Sequence, residues 1–152
     1  MLSSRTRYAT RAILDLSVRY GVGPVAMEDI ACRQDIPLKY LQQILLALKL
    51  AGFVQSRKGR AGGYSLSRPP GEISLGEVVR AMEGPIAPVS CVSVSSYADC
   101  GCPHPETCSL RTVFKGARDA ISDVLDGTSF QEIVCKQREL DTLPAHNFDY
   151  QI

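Results

Sequence analysis

The chain has 152 residues, of which 45% are hydrophobic and 22% charged, with a formal net charge of +1. That balance belongs to a globular domain with an ordinary core and excludes collagen-like, disordered and disulfide-scaffold classes. No apolar run approaches the ~20 residues that span a bilayer. The opening MLSSRTRYATR also lacks the apolar stretch of a secretory signal, so a cytoplasmic protein with no membrane partner is expected.

Residues 5–20 bring Tyr8, Ala9, Ala12, Ile13 and Leu16 to one face at helical spacing, with Ser3 or Ser4 as cap and Gly21, Gly23 and Pro24 as the stop. A short helix follows at Met27–Gln34, with Ile30 and Ala31 turned inward. Asp35-Ile36-Pro37 breaks it, and Pro37 suits the opening of the next helix. That helix runs from Leu38 to Leu50, buries Leu41, Ile44, Leu45 and Leu48, and ends at Gly52 in a left-handed cap.

Two short alternating segments, Phe53 to Arg57 and Tyr64 to Ser67, flank Lys58-Gly59-Arg60-Ala61-Gly62-Gly63 and read as a β-hairpin with a basic, glycine-rich loop. Ser74 and Glu77 have capping-box spacing for a helix to about Glu83, which Gly84-Pro85 stops. Residues 86–108 have no helical period and carry Pro, Ser, Gly and four cysteines; a loop so long is usually functional or disordered. From Ser109 the period returns, with Leu110, Val113, Phe114, Ala117, Ile121, Val124 and Leu125 on one face and Gly127 at the end. Thr128 and Gln131 fit a second capping box for a short helix to about Leu140, and a loose tail follows to Ile152.

Charge is unevenly spread. Residues 1–70 hold eleven Lys/Arg against four Asp/Glu, whereas residues 71–152 hold six against twelve. A basic half joined to an acidic half fits a nucleic-acid-binding module followed by a part with another task. The element order supplies the shape: short helix, tight break, second helix, basic hairpin is the order of a winged helix-turn-helix. The expected fold is therefore mainly α with a small β-hairpin wing, plus a long C-terminal dimerisation helix. On the second helix Lys39 can meet a phosphate, Tyr40 can donate a hydrogen bond, and Gln42 and Gln43 can read base edges. In the hairpin Arg57, Lys58 and Arg60 surround glycines that allow close backbone approach. The expected division is a DNA-binding unit at 1–84, a cysteine loop at 85–108, a dimerisation helix and short helix at 109–140, and a tail at 141–152. An enzyme is not expected: there are two His residues and no P-loop, dinucleotide fingerprint or Cys-x-x-Cys.

Asp29-Ile30-Ala31, Ile36-Pro37, Tyr40-Leu41, Leu48, Ala51-Gly52, Val54, Gly59-Arg60-Ala61-Gly62-Gly63-Tyr64 and Glu77-Val78-Val79 closely resemble the Rrf-type transcription regulators, the bacterial family of IscR and NsrR. The similarity runs from about residue 1 to residue 140, and the wing signature is its most specific part. The resemblance implies a homodimer whose long C-terminal helix pairs with its twin and sets two wings on a palindromic operator in double-stranded DNA. The function it implies is transcription regulation, usually repression.

Cys91, Cys100, Cys102 and Cys108 are separated by eight, one and five residues. Soft thiolates on one loop can hold an iron–sulfur cluster or zinc, and the lack of a two-to-four residue gap weakens zinc. The resemblance favours an iron–sulfur cluster with Cys91, Cys102 and Cys108 as ligands, sensing redox state, iron–sulfur status or nitric oxide. The pattern departs from the family at two points. The first interval is long and contains Cys100, and the fourth-ligand positions of the IscR and NsrR types are here Arg111 and Arg7. Cys100 is thus a fourth ligand or an alternative second one, His104 is a further candidate, and the spacing does not choose between 2Fe-2S and 4Fe-4S. A cluster-free regulator of the same fold, controlled by thiol oxidation, a metabolite or a protein partner, is the alternative. Cys32 and Cys135 read as buried structural thiols.

Overall fold

A computed structural model describes residues 2–142; most of the tail expected from 141 lies outside the described residues. Six α-helices and one hairpin follow in the order α1 (Ser4–Val18), α2 (Met27–Gln34), α3 (Leu38–Leu50), β1 (Val54–Arg57), β2 (Gly63–Leu66), α4 (Leu75–Glu83), α5 (Ser109–Asp126) and α6 (Phe130–Thr142). The architecture is mainly α with a two-stranded antiparallel hairpin.

Local chemistry sets the boundaries. The Ser3 hydroxyl accepts from the Thr6 amide and caps α1, which stops at Val18, two residues short of the expected end. Asp35 takes a left-handed conformation (φ 48°), one of the few non-glycine residues for which this is cheap, and turns the chain sharply between α2 and α3. Gly52 (φ 81°) ends α3 as its position suggests. Ser74 and Glu77 form the reciprocal capping box at α4.

The core gathers around α1. Ala9, Ala12, Ile13 and Leu16 meet Ile30 of α2, Leu41, Ile44, Leu45 and Leu48 of α3, Val54 and Leu66 of the hairpin, and Val78 and Met82 of α4. Phe130, 1% exposed, completes this core, because α6 folds back against α1 and the turn Pro70–Glu72. A short bridge between Ser74 and Ser129 fixes that return, with Leu75 N–H bonded to Thr128 O and Phe130 N–H to Ile73 O.

The same bridge corrects the expected start of α6. Ser129, not Thr128, is the cap: its hydroxyl accepts from the Glu132 amide, and the Glu132 carboxylate accepts from the Ser129 amide at 2.7 Å. Thr128 instead donates to the Val124 carbonyl. A second correction concerns Cys32 and Cys135, which are exposed rather than buried. On α2 the inward position is Ile30, and a residue two places further lies roughly on the opposite side of a 3.6-residue helix.

One buried charge ties α1 to α2. The Asp15 side chain is 1% exposed and accepts from Arg33 at 2.9 and 2.8 Å, from Arg19 at 3.1 Å and from Gln34 at 3.3 Å. Burial pushes its pKa up, but hydrogen bonds from Arg33 and Gln34 and the two guanidinium charges outweigh burial and hold it below the usual aspartate value. Asp15→Asn leaves Arg33 and Arg19 without their counter-charge and should cost about 3 kcal/mol in urea unfolding at pH 7. Because the folded carboxyl titrates below its unfolded value, its contribution is complete above about pH 4 and lost as pH falls through the lowered pKa. The variant should therefore lose stability less steeply than the native chain on acidification below about pH 4.

Candidate nucleic-acid interface and cysteine cavity

The buried face of α3, from Leu41 to Leu48, fixes which side chains it turns outward. Lys39, Gln42 and Gln43 are exposed together on that outer side. Tyr40 is half-buried: its ring meets Tyr8 of α1 edge-on, with centroids 5.7 Å apart and planes at 82°. Arg7 and Arg11 stand 5.6 and 5.8 Å from the Tyr8 ring centre. Two further cations therefore border the α3 side of the molecule. The helix-turn-helix pattern alone does not point to them, although their i, i+4 spacing on a basic helix is the available signal.

Arg57, Lys58 and Arg60 are all exposed on the wing. The wing's rigidity comes from backbone chemistry that only glycine permits. The Gly62 amide donates to the Gly59 carbonyl at 2.9 Å, and a Cβ on Gly62 would collide with the Arg57 carbonyl. Gly63 has φ 150°, and a Cβ there would strike the Val25 carbonyl. That close approach lets Val25 and Tyr64 exchange two backbone hydrogen bonds of 2.8 Å, which lash β2 to the segment leading into α2. Lys49 donates to the Ser56 hydroxyl at 2.7 Å and ties the end of α3 to β1. Wing and α3 are held as one surface.

The four loop cysteines converge. Cys91, Cys100, Cys102 and Cys108 line one cavity of about 120 Å³, with Val89, Pro105, Leu110, Arg111 and Phe114. Cys91 is buried on the one-turn helix Ser90–Val92, Cys108 is the residue from which α5 starts, Cys102 is half-buried and Cys100 is exposed. The thiols interact. Hydrogen bonding from Cys102 lowers the Cys100 pKa, whereas the Cys100 contact, burial and the neighbouring sulfurs push Cys102 up to about 11. Burial, and then Cys100, raise Cys91. His104 is exposed and not part of the cavity wall.

Among the described residues no three His, Cys, Asp or Glu side chains crowd around a single-ion position. In a cluster the thiolates are divided among two or four irons, so the sulfurs stand around a larger group than one ion. Four thiols on one small cavity, otherwise walled mostly by apolar side chains, are a donor set that fits an iron–sulfur cluster.

The long helix α5 buries no residue at all. Val113, Val124 and Leu110 are 68%, 67% and 65% exposed, and Phe114 and Ile121 are also open. Among the described residues no helix is long and apolar enough to cross a membrane.

Residues 2–136 match the family described as Rrf2, iron-dependent transcriptional regulator. An HTH-type transcriptional regulator of Rhodobacter capsulatus, described as rrf2-like, is 42% identical over 118 residues, 75% of this chain and 79% of that one. The HTH-type transcriptional regulator IscR of Aliivibrio salmonicida is 34% identical over 148 residues, 97% of this chain and 85% of that one. Among solved structures, CymR, the global cysteine regulator of B. subtilis, superposes with a TM-score of 0.76 at 29% identity, covering 90% of this chain and 97% of that one. The chain belongs to the Rrf2 family of DNA-binding transcription regulators.

The close approach at Gly63 is what lets β2 bond to Val25. Gly63→Ala should speed amide exchange at Tyr64 and Val25 by at least tenfold while the amides of α1 and α3 stay protected. Unchanged exchange at those two amides would show that the wing does not depend on this close approach.

Proposed function

We propose that this Rrf2-family regulator binds a palindromic operator as a homodimer, acting as a repressor. In this reading it senses redox state, iron–sulfur status or nitric oxide through an iron–sulfur cluster on the Cys91–Cys108 loop. Cys91, Cys102 and Cys108 are the ligands, with Cys100 as the fourth or an alternative one. The observation that carries the reading is the convergence of four thiols on one cavity where α5 begins.

On the DNA side, α3 enters the major groove. Lys39 meets a phosphate, Tyr40 presents its hydroxyl, and Gln42 and Gln43 meet base edges. Arg57, Lys58 and Arg60 reach the neighbouring backbone from the wing, with Arg7 and Arg11 adding positive potential beside α3. The open apolar face of α5 covers that of a second copy, which sets two recognition helices on half-sites about one helical turn, ~34–36 Å, apart.

When bound, the cluster supplies a redox-active group whose state changes with oxidants and iron supply. The chain's own residues link the loop to the DNA-binding unit. The Arg118 guanidinium donates to the Val92 carbonyl and ties the turn carrying Cys91 to α5. At the far end of α5, Asp126 pairs with Arg80 of α4, whose Val78 and Met82 lie in the core of the winged unit. Thiols drawn together hold the loop against α5, and thiols set free release it. Because half-site spacing is fixed by the duplex, a small turn of α5 changes how well both wings fit at once.

A second reading has its own observation. Cys100, with its lowered pKa, lines the same cavity as Cys102, two residues on, an arrangement suited to thiol oxidation without a cluster. Absorption spectra with iron and sulfide counts on anaerobically purified protein separate the two; colourless, iron-free protein favours this second reading, or control by a metabolite or partner.

Gln42→Ala or Gln43→Ala should each weaken specific operator binding by about 1–3 kcal/mol and leave non-specific binding nearly unchanged. Removing Arg57, Lys58 or Arg60 should instead weaken all duplexes alike, flattening the log K against log salt slope by about 0.9 for each phosphate no longer neutralised. Serine at Cys91, Cys102 and Cys108 together should abolish iron binding and shift operator affinity by tenfold or more in gel retardation. Lost iron with unchanged affinity would defeat the sensing role.

A further inference from the structure

A second, larger cleft opens beside the cysteine cavity. Its volume is about 430 Å³, within the range of small-molecule sites. One wall is α5, which contributes Arg111, Lys115 and Arg118. Their spacing of four and three residues puts all three cations on one side of the helix. The other wall is the loop, with Ser93, Tyr97 and Glu106.

The placement stands against the local composition. Residues 71–152 carry twice as many acidic as basic residues, yet three of the six basic ones line this one cleft. The three cations have different tasks. Arg118 is committed to the Val92 carbonyl and to Asp119, and so fixes the floor of the cleft. Arg111 lies 5.9 Å from the Tyr97 ring centre, a contact that orients its guanidinium without neutralising it. Lys115 has no ion-pair partner among the described residues. Glu106 is the one acidic side chain on the lining, and the Thr112 and Ser93 hydroxyls add hydrogen-bonding capacity.

We propose that this cleft binds a small dianionic oxyanion, a dicarboxylate or a phosphate monoester, with Arg111 and Lys115 as its charge partners. A planar guanidinium and a mobile ammonium side by side suit two charged oxygens on one compact molecule. Cys91, Pro105, Cys108 and Arg111 border both this cleft and the cysteine cavity, so an anion here acts on the cysteine loop directly. The site gives the regulator a metabolite input on the same loop whose Cys91 and Cys108 would hold the proposed cluster.

Calorimetric titration of the full-length protein with succinate, glycerol 2-phosphate and acetate tests this, the first two probes separating the carboxylate from the phosphate source. The expected result is saturable binding of one dianion at least tenfold tighter than acetate, weakened tenfold or more in Arg111→Ala/Lys115→Ala. A thermal melt shows whether that variant is folded, and Lys115→Ala alone, on an exposed position, serves if it is not. In cluster-free protein, where Cys108 is a free thiol, bound dianion should also slow its iodoacetamide alkylation, read by mass spectrometry. Absence of dianion binding, or equal binding by the folded variants, overturns the site. Binding with unchanged Cys108 alkylation overturns its coupling to the loop.

Discussion

An apolar helix face that nothing among the described residues covers is the constraint on which the rest of this molecule turns. All of α5 is at least partly open to water, although Leu110, Val113, Phe114, Ile121 and Val124 share its apolar side. Fully burying such a side chain is worth ~1.5–3 kcal/mol. Ten of them across two copies offer on the order of 15 kcal/mol, against roughly 4–15 kcal/mol for the lost freedom of association. The two terms come out in favour of pairing only when both stripes are covered together. The proposed dimer therefore uses the whole length of α5, and anything that moves one end of α5 is felt at the other.

The ends of α5 are attached to different things. At its start lies Cys108, and midway along it Arg118 holds the turn carrying Cys91. At its finish lies the pair of Asp126 with Arg80, and just beyond it Phe130 plugs the core of the winged unit. The chain thus runs from a cysteine-bearing loop, along a helix whose apolar face no described residue covers, into the body that carries α3 and the wing. That connection makes a loop of weak internal structure relevant to a rigid basic surface some distance away in sequence.

Much of this was legible in the residues. The limits of α2 and α3 and the buried set Leu41, Ile44, Leu45 and Leu48 follow from periodicity, because each short helix has a clean apolar face and a sharp stop. Ser74 with Glu77 announced α4 for the same local reason. What failed depended on neighbours distant in sequence. Thr128 with Gln131 and Ser129 with Glu132 both fit the capping pattern, and the bridge from Ser129 to Ser74 decides between them. The buried Asp15 left no local signal, because its partner Arg33 lies eighteen residues on. Tyr40 lies on α3 as expected, and the edge-on contact that sets its ring against Tyr8 is again a long-range one. At the site, the cysteine spacing suggested a shared ligand set, whereas the cationic cleft beside it needed the loop to be folded against α5 before Arg111, Lys115 and Arg118 faced anything.

Sedimentation equilibrium of the full chain at micromolar concentration tests the central claim most directly. A mass twice that of the 16.6 kDa chain, falling to the single-chain value when Val113 and Val124 are both replaced by glutamate, is the result expected if α5 is covered by its twin. A native chain that sediments as a monomer at those concentrations would contradict the account from α5 outward.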